Sequence, residues 1–177
     1  MADLYVRCVL RAQGGSRPDE MNLLRNWDEV SESVRRMRAS GVVTTAFAVR
    51  NAGVPALEAA DQLALAQGFA ALGERWRSID LDAARGTLAR LLEKDLAYDA
   101  TVMHAEDAAN LADQWLGLTA PPRAFFTNGT WADPPIRTAP GATAGPSWDP
   151  ITGSTFDAGV VAVDGQVTVL FWVQDED

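Results

Sequence analysis

The sequence predicts one α+β domain over residues 1–177: a mainly antiparallel sheet of about five or six strands, closed by a C-terminal β-hairpin and packed by about three or four helices. Three observations carry this expectation. The last stretch, Thr155 to Asp177, holds two β-rich runs separated by Asp164-Gly165, a pair of residues that tolerates the positive φ of a tight hairpin turn. Several segments place apolar residues at helical spacing between capping residues and glycines. Leu4–Arg11 and Val42–Val49 read as strands, the first by alternation and the second as a β-branched apolar run.

Taken in order, Leu4, Val6, Cys8 and Leu10 share the apolar face of the first strand, so Cys8 is expected to be a small core residue rather than a nucleophile. Gln13 to Asp19 reads as a loop and lacks the ending of a phosphate-binding loop. Asn26-Trp27-Asp28-Glu29 has the form of a capping box. The helix it opens carries Trp27, Val30, Val34 and Met37 on one stripe and stops at Gly41, with Arg35, Arg36 and Arg38 complementing its C-terminal dipole. Pro55 suits the first turn of a long helix reaching about Leu72, with Leu57, Ala60, Leu63 and Ala64 inward. Asp80 caps a helix carrying Ala84, Leu88 and Leu91, and His104 to Leu116 forms another, ended by Gly117.

Beyond Pro121-Pro122, the residues around Asn128-Gly129 read as a second hairpin that pairs Phe126 with Trp131. Thr138 to Pro150 reads as a surface loop bearing Trp148 and Asp149. In the terminal hairpin a two-residue loop pairs Val163 with Gln166, Val161 with Thr168, Gly159 with Leu170 and Asp157 with Trp172. One face, with Phe156, Ala158, Val160 and Ala162 across from Val167, Val169, Phe171 and Val173, is wholly apolar and must be covered. The other face is mixed and is expected to see water.

No apolar run approaches the roughly 18 residues of a membrane span. The acidic start, Met-Ala-Asp, does not resemble a signal peptide, so a cytoplasmic location is expected. One cysteine permits no internal disulfide, and one histidine leaves no multi-histidine metal site. His104-Ala105-Glu106 matches only the first half of the zinc-deaminase signature, whose paired cysteines are absent. No catalytic, cofactor or metal residue is therefore assigned. Carboxylate chemistry stays open through Asp99, Glu106, Asp107 and Asp113, which could hold a divalent metal.

Net charge is −9, unevenly spread. Residues 1–88 hold 11 acids and 11 arginines, whereas residues 89–177 hold 13 acids against Arg90, Lys94, Arg123 and Arg137. Such a half repels nucleic acid and anionic lipid and attracts a basic protein. Tryptophan beside carboxylates is also the composition of an interface hot spot. The expectation is an acidic binding or inhibitor protein, of the immunity or antitoxin kind, that engages a basic partner such as a nuclease toxin. The candidate contacts are Trp131, Asp133, Trp148, Asp149, Trp172, Asp175, Glu176 and Asp177. Two alternatives stand beside it: a small enzyme using carboxylates or a divalent metal, and a structural subunit of an assembly. The oligomeric state is not legible.

Overall fold

A computed structural model describes residues 8–10, 18–38, 40–131, 133, 136–139 and 142–176. In chain order the elements are β1 (Cys8–Leu10), α1 (Pro18–Met37), β2 (Val42–Val49), α2 (Ala56–Ala66), β3 (Arg77–Ile79), α3 (Leu81–Glu93), α4 (Ala105–Leu116), β4 (Ala124–Thr127), β5 (Ile136–Ala139), β6 (Ala142–Ala144), β7 (Phe156–Val163) and β8 (Val167–Asp175). Six strands form one sheet in the order β1-β2-β8-β7-β4-β3. Neighbours are antiparallel except β1 and β2, which run parallel, and β5 and β6 make a separate two-stranded ribbon. The α+β expectation, with its terminal hairpin at the centre of an antiparallel sheet, is what the chain builds. Among the described residues no helix is long and apolar enough to cross a membrane.

The hairpin of β7 and β8 is the spine. Its apolar face packs under α1, α3 and α4: Val160, Val169 and Phe171 meet Trp27 and Val34 of α1, Leu88 and Leu91 of α3, and Leu111 and Trp115 of α4 in one core. The Trp115 and Phe171 rings meet edge-on at 6.4 Å. Each fully buried large side chain here contributes about 1.5–3 kcal/mol through area removed from water. The opposite face does not see water. Val161, Val163, Leu170 and Trp172 are covered by Ala60, Leu63 and Ala64 of α2, together with Leu72, Trp76 and Ile151. The sheet therefore lies between two helical layers, and the mixed face is buried because its polar members, Asp157 and Thr168, are themselves enclosed.

The hairpin register differs from the expected one by two residues. Val163 pairs with Thr168, Val161 with Leu170, Gly159 with Trp172 and Asp157 with Gln174. A shift of two keeps every side chain on its expected face, since strand side chains alternate with period two. The cause is Asp164. Its Oδ1 accepts the amides of Gln166 and Val167, both at 2.7 Å, and its own N–H bonds the Val167 carbonyl at 3.0 Å. The central turn residues are thus Gly165 and Gln166, neither with positive φ, and Asp164 precedes the turn as its side-chain acceptor.

Other expectations are corrected by the same kind of detail. The Asn128-Gly129 hairpin is absent: β4 pairs with β3 on one side and β7 on the other, and Phe126 lies across from Ser78 and Val161 rather than Trp131. Helix α1 begins at Pro18, well before Asn26. Helix α2 stops at Ala66, where Gly68 takes φ +79°, and Leu57 is exposed rather than inward. Asp80 caps α3 as expected, accepting the Ala83 amide at 2.8 Å. Cys8 stands across from Ala46 on the parallel edge. Its side chain lies outside the described residues, as do Leu4, Val6 and residues 13–17 of the first expected loop.

Candidate aromatic groove

The candidate site grows from Asn128, the residue that follows β4. Its side chain is buried, and its amide nitrogen donates to the Asp157 carbonyl at 3.0 Å, to Asp157 Oδ1 at 3.1 Å and to the Asp149 carbonyl at 3.2 Å. Its oxygen accepts the Trp131 indole N–H at 3.2 Å. Asp157 spends its other oxygen on the amides of Ile151 (2.8 Å) and Thr152 (2.6 Å). Two enclosed polar side chains thereby pin residues 149–152 and Trp131 to the end of the sheet. Leaving either without its partner would cost the desolvation of the other.

This hub positions Trp148. Gly129 bridges to Trp148 through Thr130 N–H to the Ser147 carbonyl and Asp149 N–H to the Asn128 carbonyl, each 2.9 Å. Only glycine fits there, because a Cβ at 129 would stand 2.5 Å from the Ser147 oxygen and 2.7 Å from Trp148 Cβ. The half-buried Trp148 ring packs on Trp131 at 5.1 Å and on Phe156 at 5.7 Å. Beside it opens a groove of about 490 Å³ lined by Pro146, Ser147, Trp148, Pro150, Thr152, Ser154 and Thr155.

Charges rim this region. Glu176 accepts the Thr155 hydroxyl at 2.8 Å and its amide at 3.3 Å, and bonding to Thr155 and Ser154 holds its carboxyl below the usual glutamate value. Asp149 pairs with Arg75 at 3.2 Å and Asp133 with Arg77 at 2.8 Å, with carboxylate side chains 47% and 41% exposed.

The structure therefore brings Trp131, Trp148 and Asp149 into one aromatic corner, with Glu176 bonded to the lining residue Thr155 and Asp133 bonded through its amide to the Thr130 carbonyl. It does not place all eight expected residues on a surface. Trp172 is 0% exposed beneath α2, edge-on to Trp76 at 6.0 Å. Asp175 is 2% exposed and bound to Arg38, and Trp131 is buried as the floor under Trp148. Trp172 falls inside because α2 covers the mixed face. Asp175 does so because it neutralises a buried guanidinium. Asp177 lies outside the described residues.

The carboxylates weighed for metal chemistry are spread apart. Asp99 pairs with Arg90 at 3.1 Å and Asp113 with Arg85 at 2.7 Å, while Glu106 and Asp107 occupy the first turn of α4. Among the described residues no three His, Cys, Asp or Glu side chains are grouped to hold a metal ion. His104 is exposed at the start of α4 and makes no side-chain capping bond.

The sequence reading missed Asn128 and Asp157, the residues that build the corner. Asn128 was hidden by its resemblance to a turn residue. The one available signal was Asp157, a charge set within a strand whose other residues are almost all apolar. Comparison with protein-family models, with curated proteins and with solved structures returns no match.

Proposed function

We propose that this chain is an acidic binding protein of the inhibitor type, which engages a basic protein through the surface around Trp148. The observation that supports the reading is Trp148 itself: a partly buried indole packed on Trp131 and Phe156, with the carboxylates of Asp149 and Glu176 bordering the same loops. A rigid aromatic ring buries area at little entropic cost, and surrounding carboxylates steer a cationic partner toward it. Pairing with Arg75 and Arg77 holds two of the acids in place, and a basic partner would compete for them. In its concrete form the protein acts in the cytoplasm as an immunity or antitoxin-like inhibitor. Its target is a nuclease toxin, whose phosphate-binding surface is basic by necessity.

The inward carboxylates favour this reading over the enzymatic one. Asp61, Asp157, Asp164 and Asp175 each accept backbone amides that hold loops in place, and none of the four lines the groove. The test is surface kinetics on the native partner captured from its source cell, at low and high salt. Neutralising Asp133, Asp149 and Glu176 should slow association and flatten its salt dependence. Trp148→Ala should speed dissociation at least about tenfold, the equivalent of 1.4 kcal/mol. Association indifferent to salt, with every sensitive position in residues 1–88, would refute the proposal.

A further inference from the structure

We propose that the groove beside Trp148 receives an extended arginine-bearing segment of the partner, its guanidinium stacked on the indole and paired with Glu176. The inference rests on the basic-partner reading and narrows it to one recognition chemistry.

Backbone geometry supplies the first argument. The bridge between Gly129 and Trp148 uses the Ser147 carbonyl and the Asp149 amide on its inner side. In such an antiparallel pair the N–H and C=O of Trp148 itself point the other way, as at the outer edge of a strand. An extended peptide adds to an edge of this kind through its main chain, and pockets for alternate side chains set specificity. Shape supplies the second. The groove of about 490 Å³ is open to solvent and lined by Trp148, Pro146 and Pro150 together with a wall of short side chains, Ser147, Thr152, Ser154 and Thr155, which leaves room for a long side chain from a partner.

Charge selects the occupant. Glu176 is fixed at this wall by two bonds from Thr155, which leave its carboxylate further lone pairs to offer. A planar guanidinium satisfies both neighbours at once, because it stacks on an aromatic face and donates to a carboxylate in its own plane. A lysine ammonium, compact and strongly hydrated, does this less well.

The test uses the full chain, isotopically labelled, titrated in low salt with a terminally blocked hexapeptide of alternating arginine and proline. A second hexapeptide carries neutral citrulline in place of arginine. The expected result is saturable movement of the Trp148 indole N–H and of the Ser154 and Thr155 amides with the arginine peptide alone. Glu176→Gln should weaken binding at least about threefold and Trp148→Ala at least about tenfold, whereas Glu106→Gln on α4 should leave it unchanged. Unmoved indole signals from Trp115 and Trp172 verify that each variant is folded, and Glu176→Gln, an exposed conservative change, carries the test if Trp148→Ala is not. Equal binding of the citrulline peptide, movement confined to other residues, or no binding at millimolar peptide overturns the proposal. A native basic partner whose salt-dependent association ignores both variants overturns the groove assignment and leaves the basic-partner reading standing. Specific arginine-peptide binding without any such partner supports the groove and overturns the wider reading.

Discussion

Removing one member of the buried pair Arg38–Asp175 should be among the most damaging single changes in this chain. The two side chains are 0% and 1% exposed, and their contact is 3.1 Å. Arg38 also donates to the carbonyls of Leu91 (3.0 Å) and Lys94 (3.2 Å) at the C-terminus of α3, while Asp175 accepts the Leu96 amide at 2.8 Å. The pair thus joins the end of α1, the end of α3 and the last residue of β8. Burial pulls the guanidinium below its usual pKa, and Asp175 opposes that pull. Asp175→Ala leaves a buried cation without its anion and an amide without its acceptor, a loss of about 3–5 kcal/mol. At about 2–4 °C per kcal/mol for a domain of this size, the melting temperature should fall by about 6–20 °C. Replacing both residues, as Arg38→Met with Asp175→Leu, should be less damaging, with a loss of about 1–3 kcal/mol, because no charge is then desolvated while the Leu96 amide and the Leu91 and Lys94 carbonyls still lack partners. Gly41→Ala is a third probe. Gly41 has φ +74°, and a Cβ there would overlap the Asp175 carboxylate. Most of the steric part of its cost should vanish in the Asp175→Ala background, which removes the overlapping Oδ1 and Cγ, leaving about 1 kcal/mol for the backbone conformation. Denaturant titration and calorimetry at neutral pH measure the parent and the four variants. A loss below about 1 kcal/mol for Asp175→Ala would show that water reaches the orphaned guanidinium, and the reasoning would fail.

Gly159→Ala should cost about 3 kcal/mol in denaturant titration, near the top of the overpacking range, because its Cβ would overlap both the Trp172 ring and the Phe171 carbonyl oxygen; a loss under about 1 kcal/mol would mean that the β7–β8 pairing is wrong. Asn128→Ala should cost about 2–3 kcal/mol and shift the Trp148 indole signal, since Asp157 loses its partner and Trp131 its acceptor. Asp80→Ala removes only the cap of α3 and should cost about 0.5–2 kcal/mol. The Glu176 carboxyl titrates below its ordinary 4.5, so its bonds to Thr155 support the fold above that value and are lost as pH falls through its lower folded value. Arginine-peptide binding should weaken at least about threefold over the same descent, and Glu176→Gln should abolish that part of the pH dependence.

Local patterns in this chain were legible, and pairings between distant residues were not. Val42–Val49, the Asp80 cap and the end of α4 follow from spacing and capping residues a few positions apart. The apolar hairpin face is equally local, and it survived a two-residue change of register because parity alone decides which way a strand side chain points. The mixed face misled because Asp157 and Thr168 look solvated until their partners are known. Asn128 stands 29 residues from Asp157, and Arg38 stands 137 from Asp175. Arg38 shows the limit well: its position near the end of α1 suggested that it complements that helix, yet it reaches the carbonyls of α3 instead.

The same long-range pairings change what the net charge means. In sequence the excess of acid belongs to residues 89–177, and the two halves look electrically distinct. In space they are interleaved. Arg75, Arg77 and Arg85 of the first half bind Asp149, Asp133 and Asp113 of the second, and Arg38 binds Asp175. Asp157 and Asp164 are spent on backbone amides inside the protein. A carboxylate matched by a nearby guanidinium projects little field beyond a Debye length of about 8 Å at physiological salt. Pairing leaves the net excess unchanged but redistributes it over both halves, so the charge available to steer a partner has to be sought acid by acid. Around the aromatic groove, Glu176 is bonded to Thr155 and Ser154, neutral residues that favour its ionised form. A basic partner drawn by charge would for this reason feel Glu176, bonded to the groove residue Thr155, more than it would feel Asp133 or Asp149, whose fields Arg77 and Arg75 already offset.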